Sequence, residues 1–316
     1  MPPAAAEESR CLLCGAGLRV TLTSVFDNRL GTPGMYEIRQ CDRCGLEQTY
    51  PMPSSAELQK LYEEHYNFGG EKGTAYTKFR EWFLASRMYR LWLLLDGDNA
   101  FYGRTGTCRL LDVGCNEGRG LQMYHRSGFA AEGLDLNRTA TQAARDRGYT
   151  VHEVPLETFQ PQAPYGVVVL SNVLEHALDP RGMLLDAARI LEPRGQVWIS
   201  CPNNQSWLRR LFGRSWINWH VPFHVSHFSP WNLEQLLARA GFAEIQMRQS
   251  TPAAWVAGSI LALLFARPGK PTRQLRNPIL FAVMMLLVRM VLFPVLILGN
   301  RRGNGDCLLV TARKIK

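Results

Sequence analysis

The sequence predicts an α/β protein with a doubly wound seven-stranded sheet whose last strand is antiparallel. An N-terminal zinc ribbon and a C-terminal apolar helical hairpin insertion complete the predicted fold. Three observations support it: two Cys-x-x-Cys-Gly units near the N-terminus, an apolar strand that enters a glycine-rich turn at 109–120, and two apolar runs between 252 and 304. The 316 residues, 46% of them hydrophobic, suffice for one large core and an appendage.

The two cysteine units, at 11–15 and 41–45, have 26 residues between Cys14 and Cys41 and define a predicted ribbon over 1–50. Each unit can turn tightly and point two thiolates at one ion, because the final glycine permits close backbone approach. Two such turns complete a tetrahedral site with no open position, which indicates a structural Zn²⁺. The predicted ligands are Cys11, Cys14, Cys41 and Cys44. A redox pair or unrelated cysteines are the alternatives.

Residues 51–104 are predicted to form a helical linker or lid. Ser54 or Ser55 can cap a first helix that runs to about Glu64. A second helical segment, from about Tyr76 to Leu95, carries large apolar side chains mainly at three-to-four spacing, which is typical of a buried helix face. This pattern favours core packing or a lid over catalysis.

A ligand site is indicated where the apolar strand of 109–113 runs into the turn of 114–118 and then into a helix. Such a turn brings backbone N–H groups and a helix N-terminus to a polar or anionic ligand group. The next strand-like segment ends at Asp135, 23 residues after Asp112. A doubly wound sheet places a carboxylate for ribose hydroxyls at that spacing. The two features together are more specific than either alone.

These segments resemble class I S-adenosylmethionine-dependent methyltransferases, which have a Rossmann-like fold. The resemblance also rests on 171–176 (Ser-Asn-Val-Leu-Glu-His) and 191–195 (Leu-Glu-Pro-Arg-Gly). It is strongest to the group that includes ubiquinone-biosynthesis O-methyltransferases and bacterial sugar methyltransferases, and it covers about 105–250 and the last strand. The cysteine unit is similar to that of some sugar methyltransferases. The predicted methyltransferase domain is therefore 105–316.

The resemblance implies a set of residues that bind S-adenosylmethionine. The turn would surround the methionine moiety, a carboxylate would hold the ribose, and the end of the fourth strand would lie beside the methionine; the matching residues are Asp112, Gly114, Asn116, Gly118, Asp135 and Asn172. Three features depart from the family pattern. The third strand, near 151–154, has no acid directly after it to meet the adenine, and Glu157 is only a weak candidate. Asn116 replaces the usual middle glycine, although asparagine accepts positive φ well. Gly166 replaces an aspartate that usually opens the fourth strand. A nicotinamide dehydrogenase is the alternative, but the full Gly-x-Gly-x-x-Gly spacing is missing.

The sequence also contains a group of histidines suited to proton transfer. Methyl transfer is an in-line displacement, so the enzyme aligns the acceptor and, for a hydroxyl, removes its proton. His224 is predicted as the general base or a substrate ligand, with His220, His176 and His227 as further candidates. The alternative is that these side chains only hydrogen-bond the loop of 219–230. No acid accompanies the three loop histidines in sequence, so no second metal site is predicted.

An insertion at about 252–304 separates the predicted sixth strand (242–249) from the seventh (306–313). Its first apolar run, 253–266, would be ~21 Å long as a helix, which is too short for a hydrocarbon core of ~30 Å. The second run, 279–298, is interrupted by Arg289 and Pro294. Because both ends of the insertion return to one sheet, an odd number of membrane spans is excluded. A span by the second run would also place Arg289 in the middle of the lipid, which is energetically costly.

These properties predict a hairpin that lies in one leaflet, with Arg267 to Arg276 and the Arg301-Arg302 pair at the headgroups. The segment after residue 204 holds 15 Lys or Arg and three acids, a net charge of +12, whereas the residues before it carry a net charge of −3. An anionic membrane surface is therefore a predicted partner. A buried lid or a dimer interface is the alternative, and a homo-oligomer remains open.

The sequence thus predicts a methyltransferase that acts at the membrane surface on a small-molecule or lipid-linked acceptor, such as a glycan or a prenyl- or quinone-like lipid. The N-terminus lacks the features of a secretory signal, so the expected location is the cytoplasmic face of the membrane, with peripheral attachment. Two alternatives are kept: an RNA methyltransferase that grips nucleic acid with its ribbon and basic C-terminal third, and a non-enzymatic scaffold with a methyltransferase-like fold. Nucleic acid is the less expected partner.

Overall fold

The computed structural model describes residues 10–65, 82–83 and 86–315. Its strands are β1 (Leu18–Val25), β2 (Tyr36–Cys41), β3 (Glu47–Tyr50), β4 (Arg109–Val113), β5 (Ala130–Leu134), β6 (Val151–His152), β7 (Tyr165–Ser171), β8 (Leu191–Pro202), β9 (Ser226–His227), β10 (Phe242–Ser250) and β11 (Cys307–Lys314). Its helices are α1 (Ser55–His65), α2 (Arg87–Asp96), α3 (Arg119–Arg126), α4 (Arg138–Arg145), α5 (Pro180–Ile190), α6 (Trp207–Phe212), α7 (Pro230–Arg239), α8 (Ala253–Phe265), α9 (Arg273–Arg276) and α10 (Pro278–Arg301).

The main sheet has seven strands in the order β10-β11-β8-β7-β4-β5-β6. From β8 to β6 all neighbours are parallel, whereas β11 is antiparallel to both β8 and β10. The central strand β7 is buried at every position except its last, as expected of a parallel strand covered on both faces. The predicted sheet with an antiparallel last strand is confirmed.

Local signals explain where several helices begin. Asp179 caps α5 by accepting the N–H of Gly182 at 2.8 Å, and Ser229 forms a capping box with Asn232 at the start of α7. The predicted first helix corresponds to α1. Of the predicted segment from Tyr76 to Leu95, the part after residue 86 forms α2, whereas 76–81 and 84–85 lie outside the described residues.

The cysteine-containing region forms a second sheet in the order β1-β2-β3-β9. Its last strand comes from the histidine loop, because Glu47 and Gln48 of β3 pair with His227 and Ser226 of β9. Cys11, Cys41 and Leu46 belong to the same buried cluster as the core of the main sheet. The ribbon is therefore continuous with the loop that the sequence analysis selects for catalysis.

The insertion is helical and only partly covered by the rest of the chain. α8 and α10 share an apolar cluster with α6, but within α10 just Val288, Arg289 and Leu296 are buried. Large apolar side chains of the two helices face outward: Leu263, Leu264, Phe265, Ile279, Val283, Leu286, Leu287, Met290, Val291, Val295 and Leu298. Among the described helices, α10 is the one long and apolar enough to cross a membrane, which by itself is weak support for membrane contact.

The structure corrects the placement of Arg289 and Pro294. Arg289 does not face the apolar surroundings of the helix: its guanidinium pairs with Asp96 at the end of α2 and donates to the carbonyl of Thr251 at 3.2 Å. Its side chain is 6% exposed. α10 also continues through Pro294 without interruption. The argument from the cost of an arginine in lipid therefore does not apply, because this charge is neutralised inside the protein.

Candidate active site

The four cysteines of the ribbon converge on one point. The Sγ atoms of Cys11 and Cys44 lie 3.4 Å apart, as do those of Cys14 and Cys41, and all four lie within 4.8 Å of one another. Both units form the same turn, in which the following glycine has φ +69° and donates its N–H to the carbonyl of the first cysteine. The cysteines form no disulfides. This donor set fits a tetrahedral zinc ion with Zn–S bonds of ~2.3 Å.

The glycine-rich turn lies at the carboxyl edge of the main sheet, between β4 and α3. Asn116 adopts φ +51°, the conformation expected for the residue that replaces a glycine. Its N–H donates to Oδ2 of Asp135 at 2.8 Å, so the turn and the end of β5 are held together. Gly118 stands directly before α3, and the unpaired N–H groups of that helix begin at the turn. Gly114 is tied to β5 through the carbonyl of Leu134, at 2.7 Å.

Two carboxylates face each other near this turn. Burial, and then the negative charge of Asp135, raise the pKa of Asp112 to about 7. A Cβ atom placed on Gly120 would lie 2.6 Å from Oδ2 of Asp112, so a larger residue at position 120 would displace that carboxylate. Paired acids of this kind favour a ligand with positive charge and hydroxyl donors. S-adenosylmethionine has a sulfonium, an ammonium and ribose hydroxyls, and the residues therefore fit it.

The segment that follows α2 forms a wall beside the turn. The carbonyl of Asn99 accepts the hydroxyl of Ser171 at 3.1 Å, and the carbonyl of Ala100 accepts the hydroxyl of Tyr124 at 2.6 Å. These bonds attach the segment to the carboxyl end of β7 and to α3. Asp96, which binds Arg289 of the insertion, lies three residues before Asn99.

The end of β7 connects the turn to the histidines. Asn172, the residue that the resemblance places beside the methionine, has φ +53° and donates its N–H to the carbonyl of Ser200 at 2.9 Å. Val173 abuts the glycine-rich turn, since its Cγ2 would lie 2.9 Å from a Cβ on Gly114. A 3₁₀ turn, Leu174–His176, follows immediately. The cofactor loop and the histidine cluster therefore share one edge of the sheet.

The structure brings three predicted histidines together. The ring centroid of His224 lies 4.6 Å from that of His176 and 4.9 Å from that of His220. Burial, and then the charge of Arg29, lower the pKa of His176 to about 4, and burial also lowers the pKa of His220 and of His224 well below the usual range. All three rings are therefore neutral at pH 7, which is the form that accepts a proton.

His227 lies beside this cluster rather than in it. Its Nε2 forms a 3.1 Å hydrogen bond with the hydroxyl of Thr49, which also donates to the carbonyl of His224 at 2.6 Å. Burial, and then Arg209, lower the pKa of His227 to about 3. Its contacts with the ribbon indicate a role in holding the loop.

Glu175 is an acid within the cluster that the sequence analysis quotes only as part of a motif. It is 1% exposed, and its Oε1 lies 4.0 Å from Nε2 of His224. Neither carboxyl oxygen has a hydrogen-bond partner among the described residues. Burial raises the pKa of Glu175 to about 8, and the charge of Arg29 opposes this rise only in part. A buried carboxyl group without a donor favours a polar ligand at this position.

The presence of Glu175 also corrects the expectation that no acid accompanies the histidines. Ligand atoms of Glu175, His176 and His224 lie within 4.8 Å of one another, which is compatible with a cation. His176, however, already has two partners: its Nδ1 bonds the hydroxyl of Tyr62 at 2.8 Å, and its ring donates to the carbonyl of Phe223. The arrangement is therefore better suited to proton transfer than to metal binding.

Several residues of the site were not selected by sequence reasoning. Tyr62 reaches the cluster from α1, Thr49 reaches it from the ribbon, and Asn218 accepts the Nδ1 proton of His224 through its carbonyl at 2.8 Å. These residues are far apart in the chain and follow no spacing rule. Glu175 did carry a signal, because it is a charged residue four positions after a buried apolar strand.

A cavity of about 570 Å³ lies at the opposite edge of the sheet, at the amino ends of β4, β7 and β8. Arg104, Glu192, Arg194 and Arg313 contribute to its walls. None of the residues predicted to bind the cofactor or the acceptor lines this cavity. It is separate from the candidate active site.

Comparison with known proteins agrees with this geometry. The profile of a family described as methyltransferase domain matches residues 76–246. A ubiquinone biosynthesis O-methyltransferase from Klebsiella pneumoniae is 31% identical over 144 residues, which are 42% of this chain and 57% of that protein. The protein of the same name from Pectobacterium atrosepticum is 32% identical over 125 residues, 36% of this chain and 52% of that protein. The chain thus spans little more than half the length of these relatives.

Solved structures share the general arrangement at low sequence identity. A SAM-dependent methyltransferase from Thermotoga maritima superposes with a TM-score of 0.48 and 17% identity, over 81% of this chain and 99% of that chain. The 1,6-didemethyltoxoflavin-N1-methyltransferase of Burkholderia thailandensis, solved with S-adenosylhomocysteine, gives a TM-score of 0.46 and 15% identity, over 89% of this chain and 96% of that chain. Neither likeness bears on the acceptor.

Proposed function

Since the chain belongs to the methyltransferase domain family, we propose that it transfers the methyl group of S-adenosylmethionine to a hydroxyl of an amphipathic, quinone-like acceptor at a membrane surface. The observation that carries this proposal is the shared edge of the sheet, where the turn with Asp112 and Asp135 adjoins the neutral histidine cluster. Similarity to ubiquinone biosynthesis O-methyltransferases supports an oxygen acceptor of the quinone type.

In this proposal, different residues bind the cofactor and take the proton of the acceptor. Asp135 would bind the ribose, the turn at Gly114 to Gly118 and Asn172 would hold the methionine moiety, and the bound cofactor supplies an electrophilic methyl group. His224 would take the proton of the acceptor hydroxyl on Nε2, because its Nδ1 already donates to the carbonyl of Asn218. Glu175, whose Oε1 lies 4.0 Å from Nε2 of His224, would be protonated at pH 7 and would supply a polar group beside that nitrogen. His220 and His176 would complete the polar wall.

The cofactor assignment is tested by replacing Asp135. Calorimetry should show S-adenosylmethionine binding to Asp135→Ala weakened by about 10- to 100-fold, as expected for lost hydrogen bonds to a charged group worth about 1.5–3 kcal/mol. Asp146→Ala, which removes an exposed acid at the end of α4, is the matched control and should bind normally. Equal affinity of both variants and the wild type would refute the assigned cofactor site.

The ribbon is proposed to hold one structural zinc ion on Cys11, Cys14, Cys41 and Cys44. The convergence of four sulfurs within 4.8 Å supports this assignment. Cys14→Ser should lose about one zinc ion per chain in elemental analysis and lower the thermal midpoint, because a closed site contributes folding energy. Cys108→Ser, outside the ribbon, should retain the metal. Undiminished zinc in Cys14→Ser would exclude the site.

The membrane part of the proposal rests on the insertion. An outward apolar face on α8 and α10 is bordered by Arg267, Lys270, Arg273 and Arg276 at one end and by Arg301-Arg302 at the other, and residues 252–305 contain no acid. Such a combination fits an anionic lipid surface, since apolar burial and headgroup attraction act together. The ion pair between Arg289 and Asp96 holds one face of α10 against the rest of the protein. Because only the other face can enter lipid, we expect α10 to lie in one leaflet.

A further inference from the structure

The insertion is joined to the histidine loop as well as to its own apolar cluster. In α8, the hydroxyl of Ser259 accepts the backbone N–H of Ile217 at 3.0 Å. After α10, the chain returns to the main sheet at Asp306, immediately before β11. The carbonyl of Asp306 accepts the N–H of Asn203 at 2.9 Å, which anchors it beside the end of β8. Both ends of the insertion therefore reach the segment of 216–218.

Asp306 gathers three donors in the protein interior. It is 1% exposed, and its carboxylate accepts the hydroxyl of Ser206, the indole N–H of Trp216 at 2.9 Å and the side-chain amide of Asn218 at 3.1 Å. Burial raises the pKa of Asp306 to about 6, although the three donors oppose the rise. At pH 7 the ionised carboxylate fixes both Trp216 and Asn218.

Asn218, which Asp306 holds in place, in turn binds His224. The backbone carbonyl of Asn218 accepts a hydrogen bond from Nδ1 of His224 at 2.8 Å. A carbonyl cannot donate, so Nδ1 must carry the proton of the neutral ring and Nε2 must be the basic nitrogen. Nε2 is the atom that faces Glu175. The orientation of one carbonyl thus decides which nitrogen of His224 can take a proton.

We propose that α8 of the insertion and Asp306, which follows the insertion, position His224: Ser259 and Asp306 hold the segment of 216–218 so that the carbonyl of Asn218 fixes the ring orientation and tautomer of His224. Asp306 and Ser259 are positioning residues, since neither is placed against substrate or cofactor. The inference rests on the proposed function, in which His224 accepts the proton. It gives the insertion a role in the chemistry that does not depend on lipid.

Arg29 contributes to the same segment from the ribbon side. It donates to the carbonyl of Ile217 at 2.8 Å and to the side-chain oxygen of Asn218 at 3.3 Å. Because Arg29 occupies the side-chain oxygen of Asn218, the side-chain NH₂ group of Asn218 is the part that donates to Asp306. An asparagine at position 306 would place an NH₂ group among three donors, and the segment would have to move.

The test compares Asp306→Asn and Ser259→Ala with the wild type in the full-length, zinc-loaded protein. Nitrogen NMR of ¹⁵N-histidine-labelled protein should show His224 as the Nδ1–H tautomer in the wild type and a mixture of tautomers in Asp306→Asn. With radiolabelled S-adenosylmethionine and a short-chain prenylated catechol as the probe, kcat should fall by at least about 10-fold. Calorimetry should show unchanged cofactor affinity.

Glu132→Gln is the matched control, because Glu132 also accepts three donors, from Arg109, His152 and Tyr165, but lies in β5 away from the loop. It should lose stability without changing the His224 signal. If Asp306→Asn keeps the Nδ1–H tautomer and full kcat, the positioning role is overturned. If Asp306→Asn unfolds, Ser259→Ala supplies the decision, since an unaltered His224 signal there would also overturn the proposal. Unaltered catalysis by His224→Ala would instead refute the proposed function.

Discussion

At the scale of single residues, the active site depends on titratable groups that burial keeps neutral. Glu175 and His224 face each other at 4.0 Å, and burial shifts both pKa values toward the uncharged form. A neutral imidazole can accept a proton from the hydroxyl of an acceptor molecule, and the neutral carboxyl group beside it adds no charge to the buried cluster. The cost is paid in stability, because a buried carboxyl group without donors resists ionisation.

The pH dependence of stability should reveal Glu175. Its folded-state pKa of about 8 lies above the ordinary 4.5, so the folded state retains a proton that the unfolded chain loses. Stability therefore decreases as the pH rises from about 4.5 to about 8, by up to about 1.4 kcal/mol per pH unit. Glu175→Gln should remove this loss and unfold at a higher temperature than the wild type at pH 8, but not at pH 4.5.

Calorimetric melting of both proteins across this pH range measures the effect. Glu234→Gln, which changes an exposed acid on α7, is the control and should follow the wild type. Identical melting of Glu175→Gln and the wild type at every pH would show that Glu175 is not held in its protonated form.

At the scale of elements, the histidine loop is held from two sides. β9 pairs with β3 of the ribbon, and the 3₁₀ turn Ile217–Trp219 rests on α8 of the insertion. The insertion also contacts α2, because Arg289 forms an ion pair with Asp96. The carboxylate of Asp96 accepts the N–H of Ala253 as well, at 2.8 Å. The ribbon and the insertion, which both lie outside the main sheet, thus hold the histidine loop, and the insertion also holds α2.

The joint between α10 and α2 should be energetically important. Arg289→Met leaves the carboxylate of Asp96, 16% exposed, without its cation, and breaking such a pair typically costs about 3–5 kcal/mol. Urea unfolding should show this loss, whereas Arg289→Met combined with Asp96→Asn should lose less than the single change. Arg276→Met, at an exposed position, is the control. A single variant as stable as the control would mean that the pair contributes nothing.

At the scale of the whole molecule, basic charge and exposed apolar surface occur in the same region. The residues after 204 carry a net charge of +12, and α10 exposes Met290 (63%) and Val291 (69%). A lipid surface would cover this face without altering the main sheet. The histidine loop packs on α8, so an acceptor held in the same leaflet would be close to the site.

Vesicle flotation should separate the two contributions to lipid binding. Lys270→Glu with Arg273→Glu should weaken binding to phosphatidylglycerol-containing vesicles by roughly 5-fold or more per charge, at about 1 kcal/mol each, and high salt should reduce the difference. Met290→Glu should weaken binding to neutral vesicles as well. Met35→Glu, on the ribbon and 52% exposed, is the control. Failure of the wild type to float would contradict membrane attachment.

Much of the fold follows from local patterns. Alternating or continuous apolar runs predict the strands, and the serine pair at 54–55 predicts where α1 begins. The turn at 114–118 and Asp135 were predicted to meet, and they do so through the 2.8 Å bond to Asn116. The four cysteines could be grouped because each pair is confined to one short turn.

The sequence by itself determined the class of sheet with its antiparallel last strand, the grouping of the cysteines and the placing of Asp112 and Asp135 at the ends of two strands, because these depend on short-range periodicity and on the rule that parallel strands end together. Only the tertiary structure decided that Glu175, Tyr62 and Asn218 join the histidines, and that Arg289 turns inward to Asp96. The first group of contacts joins distant segments, so it depends on how the chain packs. The charge of Arg289 would be costly in lipid, but it costs less here because the fold supplies Asp96 as its counter-ion.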